Sequence, residues 1–508
     1  MAVNFSHRLG RATPDRSPLA GILLIALAVS LVLFIFLLNG AIFASVPFPD
    51  LFPWLIALLV VLVSPTAILY YQGKLRLENP IVFATWSYFV PAFVIGGVAL
   101  AAGWSRPYFV VFIQDADYNL PYTIGLVMLG FAGLSIGYFL PFGKKAGQLA
   151  ARYLPKWDYP PSSYTIPGVL LLILGVINSI AAVALGVLGF QKAEEISSYD
   201  GLIFLTTLFW MQASFILWYV IFSRRRLDAT SVLLMILLIT TSISKALLAG
   251  NRGSVIQVFS IVILAYVMSG REFKFKQVAI SGSILAVLMV VGMIYGTTFR
   301  AVKGTEAAQS FDRYTANIFS TFDEVGRSNN ASLMEFAFVN MTERLDAVSS
   351  LAVVVSTYEQ LRPYEESYGL DNNIWKDMTT FFIPRVLWPD KPVASEPRRY
   401  SDLYFNFGES SFVITPMGDL LRNFGIVGVP IGMLLLGIIL RVIYRALVED
   451  QPRVLWRTTL YFMLLTSVSY ESFFGSIVPY LFKIGFTAVV GVLIVNLLAK
   501  QFNKRQAA

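Results

Sequence analysis

Residues 202–226 read LIFLTTLFWMQASFILWYVIFSRRR, an uncharged apolar run closed by Arg224, Arg225 and Arg226. As an α-helix, residues 202–223 span about 33 Å, enough to cross a hydrocarbon core about 30 Å thick. The three arginines mark the cytoplasmic end, because Lys and Arg accumulate on that side of a membrane. The same pattern recurs along the chain. Apolar runs of spanning length occur near 19–45, 51–71, 81–102, 121–143 and 166–189, and after residue 226 near 230–249, 254–270, 277–298, 424–442, 456–474 and 477–498. The first run is longer than the apolar core of a cleavable signal peptide and is read as a span.

Composition agrees. Of 508 residues, 56% are hydrophobic and 14% are charged, against about 25% charged in an ordinary soluble domain. With the N-terminus inside, the cytoplasmic segments hold 22 Lys and Arg, whereas the short outer loops hold three, Arg106, Lys192 and Arg252. The net charge of +8 therefore records orientation and gives no reason to expect a nucleic-acid partner. The predicted fold is an all-α integral membrane protein of about twelve transmembrane helices with both termini cytoplasmic. It divides into a tail at 1–18, helices one to nine over 19–298, a large and mostly helical periplasmic loop domain at 299–423, helices ten to twelve over 424–498, and a tail at 499–508.

The loop at 299–423 carries 12 cations and 17 anions, 29 of the 70 charges in the chain. Loops this long without structure of their own are uncommon, and short helices are expected at Phe311–Phe322, Ser332–Thr357 and Ile374–Phe382. The apolar stretch Leu345–Val355 is too short to span and is expected to be packed or interfacial. Three prolines stiffen Ile383-Pro384-Arg385-Val386-Leu387-Trp388-Pro389-Asp390-Lys391-Pro392.

The available chemistry is narrow. Without cysteine, and with His7 as the single histidine, there is no disulfide, thiolate nucleophile, Cys or His zinc site, or histidine relay. Neither a Walker A loop nor a GxGxxG turn is present, and no cofactor or metal is expected. Ionisable groups at membrane depth are functional candidates by default. Lys245 and Arg252, near the turn Gly250-Asn251-Arg252-Gly253, either converge on an anion at the outer surface or snorkel to lipid phosphate. Glu471, near the outer end of span eleven, and Lys483, about two turns inside span twelve, form a structural ion pair, or else Glu471 acts as a base. Asp419 and Arg422, three residues apart just before span ten, form a cap-and-pair device or place a carboxylate and a guanidinium beside one substrate. Arg385, Lys391, Arg398 and Arg399, interleaved with Trp388, Tyr400 and Tyr404, suit diphosphate and sugar rings.

The many-span layout, the large outward loop before the last spans, the Gly250–Gly253 turn, the Ile383–Pro392 block and Gly418-Asp419 through Asn423-Phe424-Gly425 together resemble the Wzy-type O-antigen polymerases, which polymerise oligosaccharide repeat units. The layout covers the whole chain and the motifs about a tenth of it. The resemblance implies a glycosyltransferase of the inner membrane acting in O-antigen, capsule or exopolysaccharide synthesis. It would polymerise undecaprenyl-diphosphate-linked oligosaccharide on the periplasmic face without metal or nucleotide, among membrane lipid, a chain-length regulator and other assembly proteins. It also implies anion-holding roles for Arg252, Arg385 and Arg422, with Lys391 in support. Related ligases are associated with an outward histidine, which this chain lacks. Asp419 is the first candidate for a base that takes the acceptor proton, and Glu471 the second. A secondary transporter and a non-catalytic polysaccharide-assembly protein are the competing classes.

Overall fold

A computed structural model describes residues 47–507 except 105–107, 188–198, 225, 250–252, 272–274, 304–310, 328–338, 340–341, 393–394 and 409–410. The expected span at 19–45, the tail with His7, and Gly250, Asn251 and Arg252 lie outside the described residues. All regular structure among those described is helical.

In chain order the helices that matter here are α1 (Leu51–Tyr71), α2 (Pro80–Ala101), α3 (Ala116–Phe139), α4 (Pro141–Tyr153), α5 (Thr165–Ala184), α6 (Asp200–Ser223), α7 (Ala229–Ala249), α8 (Gly253–Met268) and α9 (Phe275–Lys303). They are followed by α10 (Phe311–Arg327), α11 (Ala347–Leu361), α12 (Asn373–Thr380), α13 (Pro397–Phe405), α14 (Pro416–Leu447), α15 (Leu455–Ser467) and α16 (Phe474–Ala507). Eight of these, α1, α2, α3, α5, α6, α7, α14 and α16, are long and apolar enough to cross a membrane.

The opening stretch becomes α6, where every residue from Thr207 to Ile221 is buried. A helix that is apolar all round belongs in the middle of a bundle. Its neighbour α5 does the reverse, turning Ile166, Leu170, Ile173, Ile177 and Ile180 outward. Their spacing of three and four residues makes one continuous apolar stripe, a surface suited to lipid rather than water.

The expected spans at 254–270 and 277–298 fall on α8, with 16 residues, and inside α9, with 29. By contrast α15 has only 13 and ends at Ser467, about 20 Å of helix. The expected span at 456–474 is therefore cut short. The chain turns extended at Val468, and the backbone of Glu471 pairs with Ile414 instead of continuing the helix.

The span expected at 424–442 is the longer arm of a bent element. Gly425 sits at φ 68°, ψ −169° inside α14, a region open essentially to glycine alone. It separates arms 416–424 and 426–447. In an uninterrupted helix residues 420 and 432 would be about 18 Å apart, yet the Leu420 side chain lies against Gly432 and its carbonyl against Gly428. The arms therefore fold back on each other as a V. The long arm packs along α3, where a methyl group built on Gly137 would meet the Leu434 carbonyl at 2.0 Å and one on Gly437 would meet that of Leu134 at 2.1 Å. Only glycines allow two helix backbones to approach so closely.

The helices between 299 and 423 do not hang from the bundle. α11 is wedged against α2, α3 and α14, and its Val348, Ala352, Val353 and Val354 are fully buried. Of the expected Ser332–Thr357 helix, residues 332–338 and 340–341 lie outside the described residues; α11 begins at Ala347, after Asp346 leaves helical geometry and accepts hydrogen bonds from the backbone N–H and hydroxyl of Ser349. Burial pushes the Asp346 carboxyl up to about 6 against those bonds. α12 and α16 pack together, which brings the proline block close to the start of the last span.

Candidate functional site

The site grows from the short arm of α14. Thr415 caps it by accepting from Gly418 N–H, and Pro416 occupies the first turn, where its missing N–H costs nothing. The helix so started puts Asp419, Arg422 and Asn423 on one side. Asp419 is fully buried. Its Oδ1 accepts from Asn373 Nδ2 at 3.0 Å, Arg422 Nη2 at 2.9 Å and Asn423 Nδ2 at 3.3 Å. Its Oδ2 accepts from the Gly475 backbone at 3.1 Å. Both oxygens are thus engaged by the protein itself.

Arg422 is enclosed as completely. Nη1 donates to Glu365 Oε1 at 2.6 Å and Nη2 to Asn373 Oδ1 at 3.1 Å, while the guanidinium lies 5.5 to 5.9 Å from the rings of Tyr400, Tyr404 and Phe473. Tyr404 donates its hydroxyl to the same Glu365 oxygen at 2.8 Å. One cation held by two carboxylates in a dry site is a rigid arrangement, since removing any member strands a buried charge. It is a framework, with little of Arg422 left to meet a ligand.

Asn373 carries the network outward. Besides its bonds to Arg422 and Asp419, its Nδ2 donates to Ser395 Oγ at 3.0 Å, and Ser395 donates in turn to Asp377 Oδ2. Asp377 is half-buried. Desolvation raises its carboxyl above the ordinary range, with Asp419 adding to the rise and Ser395, Lys483 and Lys391 opposing it. Lys391 is anchored by donating to the Thr380 and Ile383 carbonyls at 2.7 and 3.1 Å, at the negative end of α12. Desolvation lowers the Lys391 ammonium, and the neighbouring Lys483 and Arg385 lower it further. Arg385 is steadied through the Pro389 carbonyl at 3.2 Å. Lys391 and Lys483 thus act on the Asp377 carboxylate, with Arg385 beside both lysines, and among the described residues Arg385, Lys391 and Lys483 have no salt-bridge partner closer than 4.0 Å.

On the other side of Arg422, at the vertex of the V, opens a cavity of about 410 Å³ between Tyr358 and Glu359 of α11 with Arg362 just after it, and Arg422, Asn423 and Phe424 of α14. Tyr358 hydrogen-bonds Glu359 at 2.9 Å, and the exposed Trp375 meets Phe424 edge to face.

The other sequence-derived candidates separate. Lys483 faces Asp377 rather than Glu471, and the two form no ion pair. Glu471 is surface-accessible yet desolvated enough to be pushed up, with Arg344 as its opposing charge. Arg398 and Arg399 are exposed on α13, and Arg399 reaches only the Tyr368 carbonyl at 3.4 Å. Lys245 places its ammonium 4.0 Å from the Trp210 ring centre, directed into the bundle rather than toward lipid phosphate. Sequence reasoning missed Asn373, Glu365 and Asp377, which in the chain look like polar residues of short surface helices. The one usable signal was Lys483, an isolated charge in an apolar span. Among the described residues no group of three or more acidic, His or Cys side chains could hold a metal ion.

Residues 164–449 match DUF8712, a domain of unknown function. No curated protein and no solved structure matches the chain.

Proposed function

We propose that this chain, which belongs to the DUF8712 family, polymerises lipid-diphosphate-linked oligosaccharide repeats on the outer face of the inner membrane. The observation that carries the reading is a cluster of three cations, with Lys391 and Lys483 acting on Asp377 and Arg385 beside both lysines, in which Lys391 and Arg385 are anchored on backbone carbonyls. A diphosphate leaving an anomeric carbon builds up negative charge, and fixed cations in a partly desolvated site stabilise it. The isoprenoid tail would lie along the lipid-facing helices.

The cavity at the α14 vertex supports the same reading. Tyr358 and Phe424 offer aromatic faces, while Arg362, Glu359 and Asn423 offer hydrogen-bonding edges, a combination suited to a sugar ring. Arg422 lines the cavity, and its network runs through Asn373 and Ser395 to Asp377. In this proposal the chain crosses the membrane twelve times with both termini cytoplasmic, and works with a chain-length regulator and other assembly proteins.

The test is reconstitution. Purified protein in lipid nanodiscs, given one undecaprenyl-diphosphate-linked repeat unit and no nucleotide sugar, should yield a ladder of products longer by whole repeats. Recovery of unchanged substrate would overturn polymerisation in favour of a transporter or a non-catalytic assembly protein.

A further inference from the structure

We infer that Asp377 is the group that takes the proton from the acceptor hydroxyl and that Asp419 positions it, an assignment that rests on the polymerase reading above.

The argument starts from where a base has to be. Bond exchange occurs at the anomeric carbon attached to the diphosphate, so the base must stand beside the cations that hold that diphosphate and within hydrogen-bond reach of an incoming hydroxyl. Asp377 meets the first condition, because Lys391 and Lys483 both act on its carboxylate. It also meets the second. It is half-buried, and the protein engages its Oδ2 through Ser395, while among the described residues no donor is found on Oδ1. Asp419 meets neither. It is fully buried, and four protein donors occupy its two oxygens. Oδ2 accepts a single bond, but with the side chain wholly enclosed its remaining lone pair is out of a substrate's reach.

The surroundings of Asp377 suit the task. The groups facing it are Asp419 from α14, Lys483 and Tyr480 from α16, and Ser395 and Lys391 from the segment after α12, while Lys376 on its own helix is paired with Asp371 instead. Desolvation and Asp419 both favour its protonated form, making it a stronger proton acceptor than a free carboxylate. Asp419 also orients it, through Asn373 and Ser395.

In the step, the acceptor oxygen bonds to the anomeric carbon as the bond from that carbon to the diphosphate oxygen breaks. The bonding electron pair leaves with the lipid diphosphate, beside Arg385, Lys391 and Lys483. The hydroxyl proton passes to Asp377, which later returns it to water. No oxidant, reductant or further co-substrate is needed.

The experiment measures initial elongation rates across pH with full-length protein and the lipid-linked repeat. Asp377→Asn keeps an acceptor for Ser395 but removes the base, and should slow elongation on the order of 10²- to 10⁴-fold. Wild-type rate should fall as pH drops through the Asp377 pKa. Because the Ser395 hydrogen bond lowers that pKa, Ser395→Ala should move this acidic limb to higher pH, and Lys483→Gln should do the same. Elongation by wild type together with an Asp377→Asn rate within about threefold of it overturns the assignment alone. If Asp377→Asn is inactive but the limb stays in place in both other variants, Asp377 is structural and the assignment is likewise overturned. No elongation by wild type overturns the polymerase reading and this assignment with it.

Discussion

Arg422 illustrates how a single residue can be indispensable without meeting a ligand. Its guanidinium separates Glu365 from Asp419, and both carboxylates would face each other in a buried site if it were gone. Arg422→Gln should therefore destabilise the protein by about 3–5 kcal/mol, the usual consequence of stranding buried charge. Thermal unfolding of the purified variant in detergent checks this, and a wild-type melting temperature would contradict the framework role. Exposed Arg398 has no such environment. At this scale the sequence was partly informative, since the Asp419 and Arg422 spacing correctly implied a shared helix face. It did not show that the face is turned inward, because the groups that close over it come from α12, α13 and the start of α16.

At the scale of elements, the V of α14 determines where the cavity and the network lie relative to each other. It depends on Gly425, whose conformation a Cβ disfavours by about 1–3 kcal/mol. Gly425→Ala should lower the melting temperature and reduce elongation, although Gly425 has open space around it and a methyl group there meets nothing within 4 Å. Differential scanning fluorimetry beside the elongation assay measures both, and unchanged values would mean that the bend is held by packing alone. The helices were legible as apolar runs wherever the run was long. The bend was not, because hydropathy is blind to a reversal inside a continuously apolar stretch. α15 was misjudged for a different reason: Val468, Tyr470 and Phe473 let the run be read on past Ser467, whereas Ser469, Glu471 and Ser472 interrupt it and the segment is a non-helical turn that stacks Tyr470 on Tyr88.

For the whole molecule, orientation is the property that places the site on the correct side of the membrane. The chain lacks cysteine, so single cysteines can report topology without background. In intact cells an impermeant maleimide should label Arg398→Cys and leave Lys145→Cys unlabelled until the membrane is opened. Both positions are exposed, so the opposite pattern would invert the topology and remove the outer-face reaction with it.

The sequence by itself determined that this is a helical membrane protein, where most of its crossing helices lie, and which chemistries it lacks. Those properties belong to contiguous residues or to composition, and hydrophobic burial acts on them whatever the tertiary arrangement. Only the tertiary structure decided which carboxylate is spent on the framework and which is left facing the cations. That choice rests on hydrogen bonds between residues 46 to 57 positions apart, and a linear pattern carries no record of which distant groups will meet.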